Sequence, residues 1–221
     1  MRDYISERVL NTTKHFKFGG IDVQVTDPLP AGASIETVLK TIEQKIPTIY
    51  FKDLEGVYVG HREIFDKRKV NALYRDNKLY ISNDQDNMED ILNDVVHEIA
   101  HHLETKALDE IYQDRRIIRE FIKKREELNF ELRSEGYWTE EYNFKNLKFD
   151  QSFDEFLYKR VGKRMLHMVT TGSFIRPYAA VSLREYFATG FEAYYLGKRD
   201  ELFQISPELY KKISDLDKLT R

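Results

Sequence analysis

The stretch Asn93–Glu104 reads NDVVHEIAHHLE and places three of the chain's six histidines within six residues, with a glutamate beside the first. His97 and His101 stand four apart, so on a helix both imidazoles leave one face, one turn from each other. Two zinc ligands need that spacing, and Glu98 is placed to reach a water held by the metal and take its proton. His102 points about 100° away from His101 and reads as a surface or supporting histidine rather than a ligand. Leu92, Val95, Val96, Ile99 and Leu103 form an apolar stripe with the histidine pair at its edge. Such a helix buries one flank and offers ligands on the other. Shuffling this composition would produce an HExxH in about one or two sequences per hundred, so the motif must be weighed against the rest of the chain.

Catalytic zinc sites usually hold three protein ligands and leave one position for water. Downstream, LREYFATGFEAYYL (Leu183–Leu196) is rich in aromatics, reads as buried, and carries both Glu185 and Glu192. A carboxylate on a buried helix is costly to desolvate unpaired. A metal ion is one partner; for Glu185, a salt bridge to Arg176 or Arg184 is another. His15, His61 and His167 have no companion at ligand spacing and read as ordinary.

The elements that must position these groups differ between the two halves. IDVQV (Ile21–Val25) alternates apolar and polar as a half-buried strand does, and TIYF (Thr48–Phe51) and VYV (Val57–Val59) are short β-like runs. ALYRDNKLYIS (Ala72–Ser82) reads as two strands around a tight turn at Asp76-Asn77. One helix interrupts this region, capped by Ser34 and ended by Pro47. After Asn83 the pattern is helical. The HExxH helix opens with cap-forming Asp86 and Asn87, and Glu89 and Asp90 fall in its first turn, where the helix dipole favours acids. Further helices are expected at about Asp109–Ser134, Phe153–Met168, Leu183–Leu196 and Pro207–Leu216, the last with Ser206 as cap. Gly172–Tyr178 reads as a loop. The expectation is a single α+β domain over residues 1–221, sheet first and helices after.

At this point two blocks, HEIAHH and PYAAVSLREYFATGFEAYYLGKRDELFQISPELYKKI (Pro177–Ile213), resemble the catalytic domain of anthrax lethal factor and its relatives, among them the clostridial Pro-Pro endopeptidases. In that family a tyrosine precedes by seven positions a glutamate that opens an E-[FY]-F-A helix. Here Tyr178 and Glu185 stand seven apart, and Glu185-Tyr186-Phe187-Ala188 follows. The resemblance implies a zincin-like metalloprotease domain with a small N-terminal twisted sheet and active-site helices in a mostly helical C-terminal part. It implies Zn2+ held by His97, His101 and Glu185, with Glu98 as general base and Tyr178 assisting at the oxyanion. The activity implied is that of a zinc-dependent endopeptidase acting on a peptide or protein substrate in extended conformation. There are two departures. Where relatives carry a second acid four residues after the glutamate ligand, this chain has Thr189, with Glu192 and Asp94 as the acids that can stand in. The segment between the blocks, about residues 104–174, is also long and reads as a helical insertion.

Composition narrows the partners. With no cysteine, a metal must be held by His, Asp or Glu. The net charge of −3 gives no nucleic-acid footprint. The basic runs Arg115–Arg125 and Lys159–Met165 have acidic neighbours and read as solvated helix faces. No window approaches a membrane span, and the N-terminal MRDYISERVLNTTKHF has no apolar core of signal-peptide length. A chain made from Met1 is expected in the cytosol at synthesis, which is compatible with secretion of a processed form. Two other readings stand beside the protease. One is a zincin-fold binding or structural protein, virion- or toxin-associated, that keeps metal with little turnover. The other is a metal-free helical interaction protein with an accidental HExxH.

Overall fold

The computed structural model describes residues 13–220; Met1–Thr12, where most of the segment read for a signal peptide falls, and Arg221 lie outside the described residues. The architecture is α+β, with a five-stranded mixed sheet near the N-terminus and helices after it. No helix among the described residues is long and apolar enough to cross a membrane. Two compact units divide the chain between Thr105 and Lys106.

In the N-terminal unit the sheet comprises β1 (Lys14–Phe18), β2 (Ile21–Val25), β3 (Gly56–Val59), β4 (Ala72–Arg75) and β5 (Lys78–Ile81), in the order β1-β2-β3-β5-β4. β2, β3 and β5 are parallel, and the outer strands β1 and β4 run antiparallel to their neighbours. Alternation sends Val23, Val25, Val57, Val59, Leu79 and Ile81 inward. The core is completed by the buried faces of α1 (Ile35–Lys45), with Ile35, Val38, Leu39 and Ile42, and of the HExxH helix, α3 (Met88–Lys106). The Ser34 side chain accepts the Thr37 N–H and caps α1 as expected. Asp76 and Asn77, at φ 52° and 59°, form the two-residue turn of the β4–β5 hairpin; both central residues have the positive φ that matches the strand twist.

The structure differs from the sequence reading in four places here. Thr48–Tyr50 is a 3-10 turn, not a strand, because Pro47 enters it at φ −53° and the run is too short to impose extension. A second helix, α2 (Glu63–Arg68), interrupts the sheet region; it has no side-chain cap and only six residues, so it left little signal. β1 was not anticipated. Position 92 is half-buried, whereas Ile91 and Ala100 join the buried stripe of α3.

The C-terminal unit is helical: α4 (Leu108–Tyr112), α5 (Arg116–Ser134), α6 (Gln151–Glu155), a π-helical segment Phe156–Gly162, α7 (Lys163–Thr170), a 3-10 turn Pro177–Ala180, α8 (Leu183–Tyr195), α9 (Arg199–Ile205) and α10 (Pro207–Leu219). The segment read as an insertion supplies α4 to α7. The helix expected over Asp109–Ser134 is broken at Arg115, φ 58°, where Asp114 caps the restart by accepting the Arg116 N–H. Ser206 precedes Pro207 as expected but makes no side-chain cap. Instead Glu120 of α5 accepts the N–H groups of Glu208 and Leu209 at 2.9 and 3.1 Å, and the Tyr186 hydroxyl at 2.7 Å. One carboxylate thus ties α5, α8 and α10 together while satisfying orphan donors at a helix start.

The basic run Arg115–Arg125 is not wholly solvated. Lys124 and Arg125 are 7% and 1% exposed, while the run Lys159–Met165 does keep its charges in solvent. Lys212 is a third buried cation, donating to the Glu110 carbonyl at 2.9 Å and to Asp114 at 2.6 Å. Burial alone would raise the Asp114 carboxyl. Hydrogen bonds from Lys212 and Arg116 outweigh it and bring the group from 3.8 down to about 2. A depressed carboxyl stabilises the fold above its unfolded value and loses that contribution as pH falls through the folded one. The stability difference between wild type and Asp114→Asn should therefore be full above pH 4, shrink between pH 3.8 and about 2, and vanish below. Urea unfolding of both proteins across that window checks it.

Candidate metal centre

Helix α3 begins where the Asn87 side chain accepts the Asp90 N–H at 2.9 Å. Ile91, Val95, Val96, Ile99 and Ala100 are almost fully buried and fix its rotation. With that face fixed, His97 and Glu98 are half-buried and His101 is 6% exposed. The two imidazoles lie 4.8 Å apart between ring centroids and nearly perpendicular, at 88°. One ligand atom from each of His97, Glu98 and His101 falls within 4.8 Å of the others, the grouping among the described residues that can hold a metal ion. Two imidazoles with a carboxylate are a donor set suited to borderline divalent ions. Nitrogen donors bind such ions at about 2.0–2.1 Å, so ligand atoms on one ion sit about 3–4 Å apart, and small side-chain rotations close this group. The residues fit a metal.

Strand β4 holds the glutamate. Glu98 Oε2 accepts the backbone N–H of Tyr74 at 2.6 Å, and among the described residues Oε1 takes no hydrogen bond. The Tyr74 hydroxyl donates to Asn77 Oδ1 at 3.1 Å and lies 3.3 Å from His102 Nδ1, with the two rings edge to face at 5.3 Å. Glu98 and His102, one turn apart, therefore face β4, while His97 and His101 form the adjacent row. His102 is 2% exposed, not a surface residue, and its place is against Tyr74. Tyr74 was missed in the sequence because the bond spans 24 positions and nothing local announces it.

Glu104, also missed, is 7% exposed and brings Oε2 to 4.0 Å from His101 Nδ1. At that separation the carboxylate is a charge neighbour of the imidazole rather than its hydrogen-bond partner. The i,i+3 spacing was its available signal. Asp94, one of the acids considered for an orienting role, accepts Gln85 Nε2 at 3.3 Å.

Tyr178 and Glu185 belong to the C-terminal unit. Tyr178 stands on the 3-10 turn Pro177–Ala180 and is 38% exposed. Glu185 is half-buried at the third position of α8, its N–H directed to the capping Ser182 Oγ at 3.3 Å. Arg176 is ion-paired with Glu192, the buried acid on the same helix. Thr189 is 1% exposed, and its hydroxyl has no hydrogen-bond partner among the described residues. Tyr158, projected from the π-helical segment, packs 6.4 Å from the Tyr178 ring. Burial, and then the Asp154 and Glu185 carboxylates, push its phenol up to about 12 against the pull of Arg176. It stays a hydrogen-bond donor at any physiological pH. Nothing in the residue pattern points to Tyr158, since a π-helical turn re-aims side chains without a periodic signature.

Comparison with family models, curated proteins and solved structures returns no match.

Proposed function

We propose that the protein is a zinc-dependent endopeptidase in which Glu98 is the general base. The observation that carries this reading is that His97, Glu98 and His101 bring ligand atoms within 4.8 Å of one another, with one glutamate oxygen anchored by Tyr74 and the other bonded to nothing among the described residues. Bound zinc supplies a Lewis acid and water of lowered pKa. His97 and His101 hold the ion, and Glu185 is proposed as the third ligand on the strength of the family resemblance. The open oxygen of Glu98 takes the proton of the attacking water and delivers it to the leaving amine. Its partner oxygen, fixed to the strand, keeps the carboxylate from swinging away. The Tyr178 hydroxyl donates to the developing oxyanion, a contribution of about 3–4 kcal/mol for one such donor.

Strand β4 suits an extended substrate. It is the last strand of the sheet order among the described residues. The backbone bond from Ser82 N–H to Asn71 O sets the alternation in which Ala72 and Tyr74 turn their peptide groups away from β5. Apart from the Tyr74 N–H taken by Glu98, those groups make no backbone hydrogen bond among the described residues, which is the pattern an added peptide strand would extend. A binding or structural protein that keeps metal with little turnover is the second reading, and the Thr189 hydroxyl, unpartnered among the described residues where the resemblance expects an acid, favours it.

Metal analysis and a diverse peptide library test both. The expected result is about one zinc per chain, lost in His97→Ala, and cleavage of library peptides by the zinc-loaded protein. Zinc without any cleavage selects the second reading. No stoichiometric metal defeats both.

A further inference from the structure

Lys124 and Arg125 are adjacent on α5, deeply buried, and not ion-paired among the described residues. Backbone carbonyls receive their hydrogen bonds. Lys124 Nζ donates to Ser173 O at 2.7 Å and to Ile205 O at 2.6 Å. Arg125 donates through Nη1 to Ala180 O and Val181 O, at 3.1 and 3.2 Å, and through Nη2 to Asn143 O at 3.2 Å. Its guanidinium lies over the Phe153 ring at 4.0 Å. Successive residues on a helix point about 100° apart, so the two cations reach different places: Lys124 grips the chain at Ser173, and Arg125 grips it at Ala180 and Val181. Between those grips run the residues that carry Arg176 and Tyr178.

Burying a cation without a counter-charge is expensive, and an apolar side chain would fill the same volume at lower cost. What an apolar side chain lacks is donors. Between Ser173 and Val181 the 3-10 turn satisfies the Arg176 and Tyr178 carbonyls, while those of Ser173, Ala180 and Val181 take their donors from the two cations, whose ammonium and guanidinium groups offer several N–H bonds from one point. We infer that Lys124 and Arg125 are positioning residues that clamp both ends of the Tyr178 segment, so that the phenol is held ready before substrate arrives. The role in turnover rests on the endopeptidase reading above; the clamp itself does not.

The test uses the full-length, zinc-loaded chain with Arg125→Lys, Lys124→Met and Tyr178→Phe. Displacing a reacting group by about 1 Å costs about 100-fold, so Arg125→Lys is expected to lower kcat by about 10- to 100-fold. KM should change by no more than about threefold, with zinc content unchanged. In the Tyr178→Phe background the same substitution should cost less than about twofold, since its effect runs through the phenol. Hydrogen exchange of the Phe174, Ala179 and Val181 amides gives a readout independent of activity. Those amides should exchange about 10-fold faster or more in Arg125→Lys while amides within α5 do not. Lys124→Met, which leaves Arg125 in place, should loosen the Phe174 amide first, and it carries the test if Arg125→Lys does not fold. Additive losses in the double mutant, or unchanged exchange in both single variants, overturn the inference. A wild type that cleaves nothing defeats the endopeptidase reading alone, and the exchange result then decides the clamp.

Discussion

Glu98→Gln is expected to lower kcat by about 10²–10⁴-fold while the protein retains its metal and its stability. The substitution is isosteric, and an amide oxygen can accept the Tyr74 N–H at the position now taken by Oε2. What changes is the second arm, which becomes an NH₂ group that donates where the carboxylate accepted. His97 and His101 keep their placement, since Val95, Val96, Ile99 and Ala100 still fix the helix face. Zinc per chain should match wild type, and the urea midpoint should barely move. Steady-state turnover of a cleaved library peptide, measured beside metal content, decides the matter. Turnover within about threefold of wild type would remove Glu98 from the chemistry. Glu98→Ala should be less clean, because it also strips the Tyr74 N–H of its acceptor, at a cost of about 1–3 kcal/mol if water does not replace it.

The largest stability effect is expected from Arg125→Ala. The carbonyls of Ala180, Val181 and Asn143 would lose their donor together, each at about 1–3 kcal/mol when left dry. A cavity would open beside Phe121, Phe144 and Phe153, the rings over which the guanidinium lies. A loss of about 4 kcal/mol or more is expected, read as a drop in the urea midpoint. Burial brings the guanidinium down to about 10, so it is charged at neutral pH and the substitution also removes a buried charge. A loss below about 1 kcal/mol would mean that solvent reaches those carbonyls readily, and would weaken the case for a rigid Tyr178 segment.

Several local signals, with determinants within a turn or two, were read correctly. Ser34 and its helix, the Asp76-Asn77 hairpin, the HExxH helix and Leu183–Tyr195 all follow from spacing, caps and turn chemistry. Thr48–Tyr50 and the short α2 were lost to weak local signals, whereas at the site and around the buried cations the deciding partner is remote. Lys124 and Arg125 belong to a run of charges that any periodicity rule sends to solvent, and only carbonyls at Ser173, Ala180 and Val181 draw them in. Tyr74 N–H meets Glu98 because the β4–β5 hairpin returns to α3. Pro207 announced the start of α10, but its cap comes from Glu120, far back in the chain. Glu104 is the exception, a local partner of His101 that the spacing could have disclosed.

The π-helical turn at Phe156–Gly162 has a consequence for how this chain can change by descent. Such a turn amounts to one residue inserted into an ordinary helix, with every later side chain rotated about 100° from its former heading. Loss of a single codon there would restore regular winding and swing Tyr158 off the Tyr178 ring without altering either residue. In this region a deletion of one residue would do more to the tyrosine pair than most replacements.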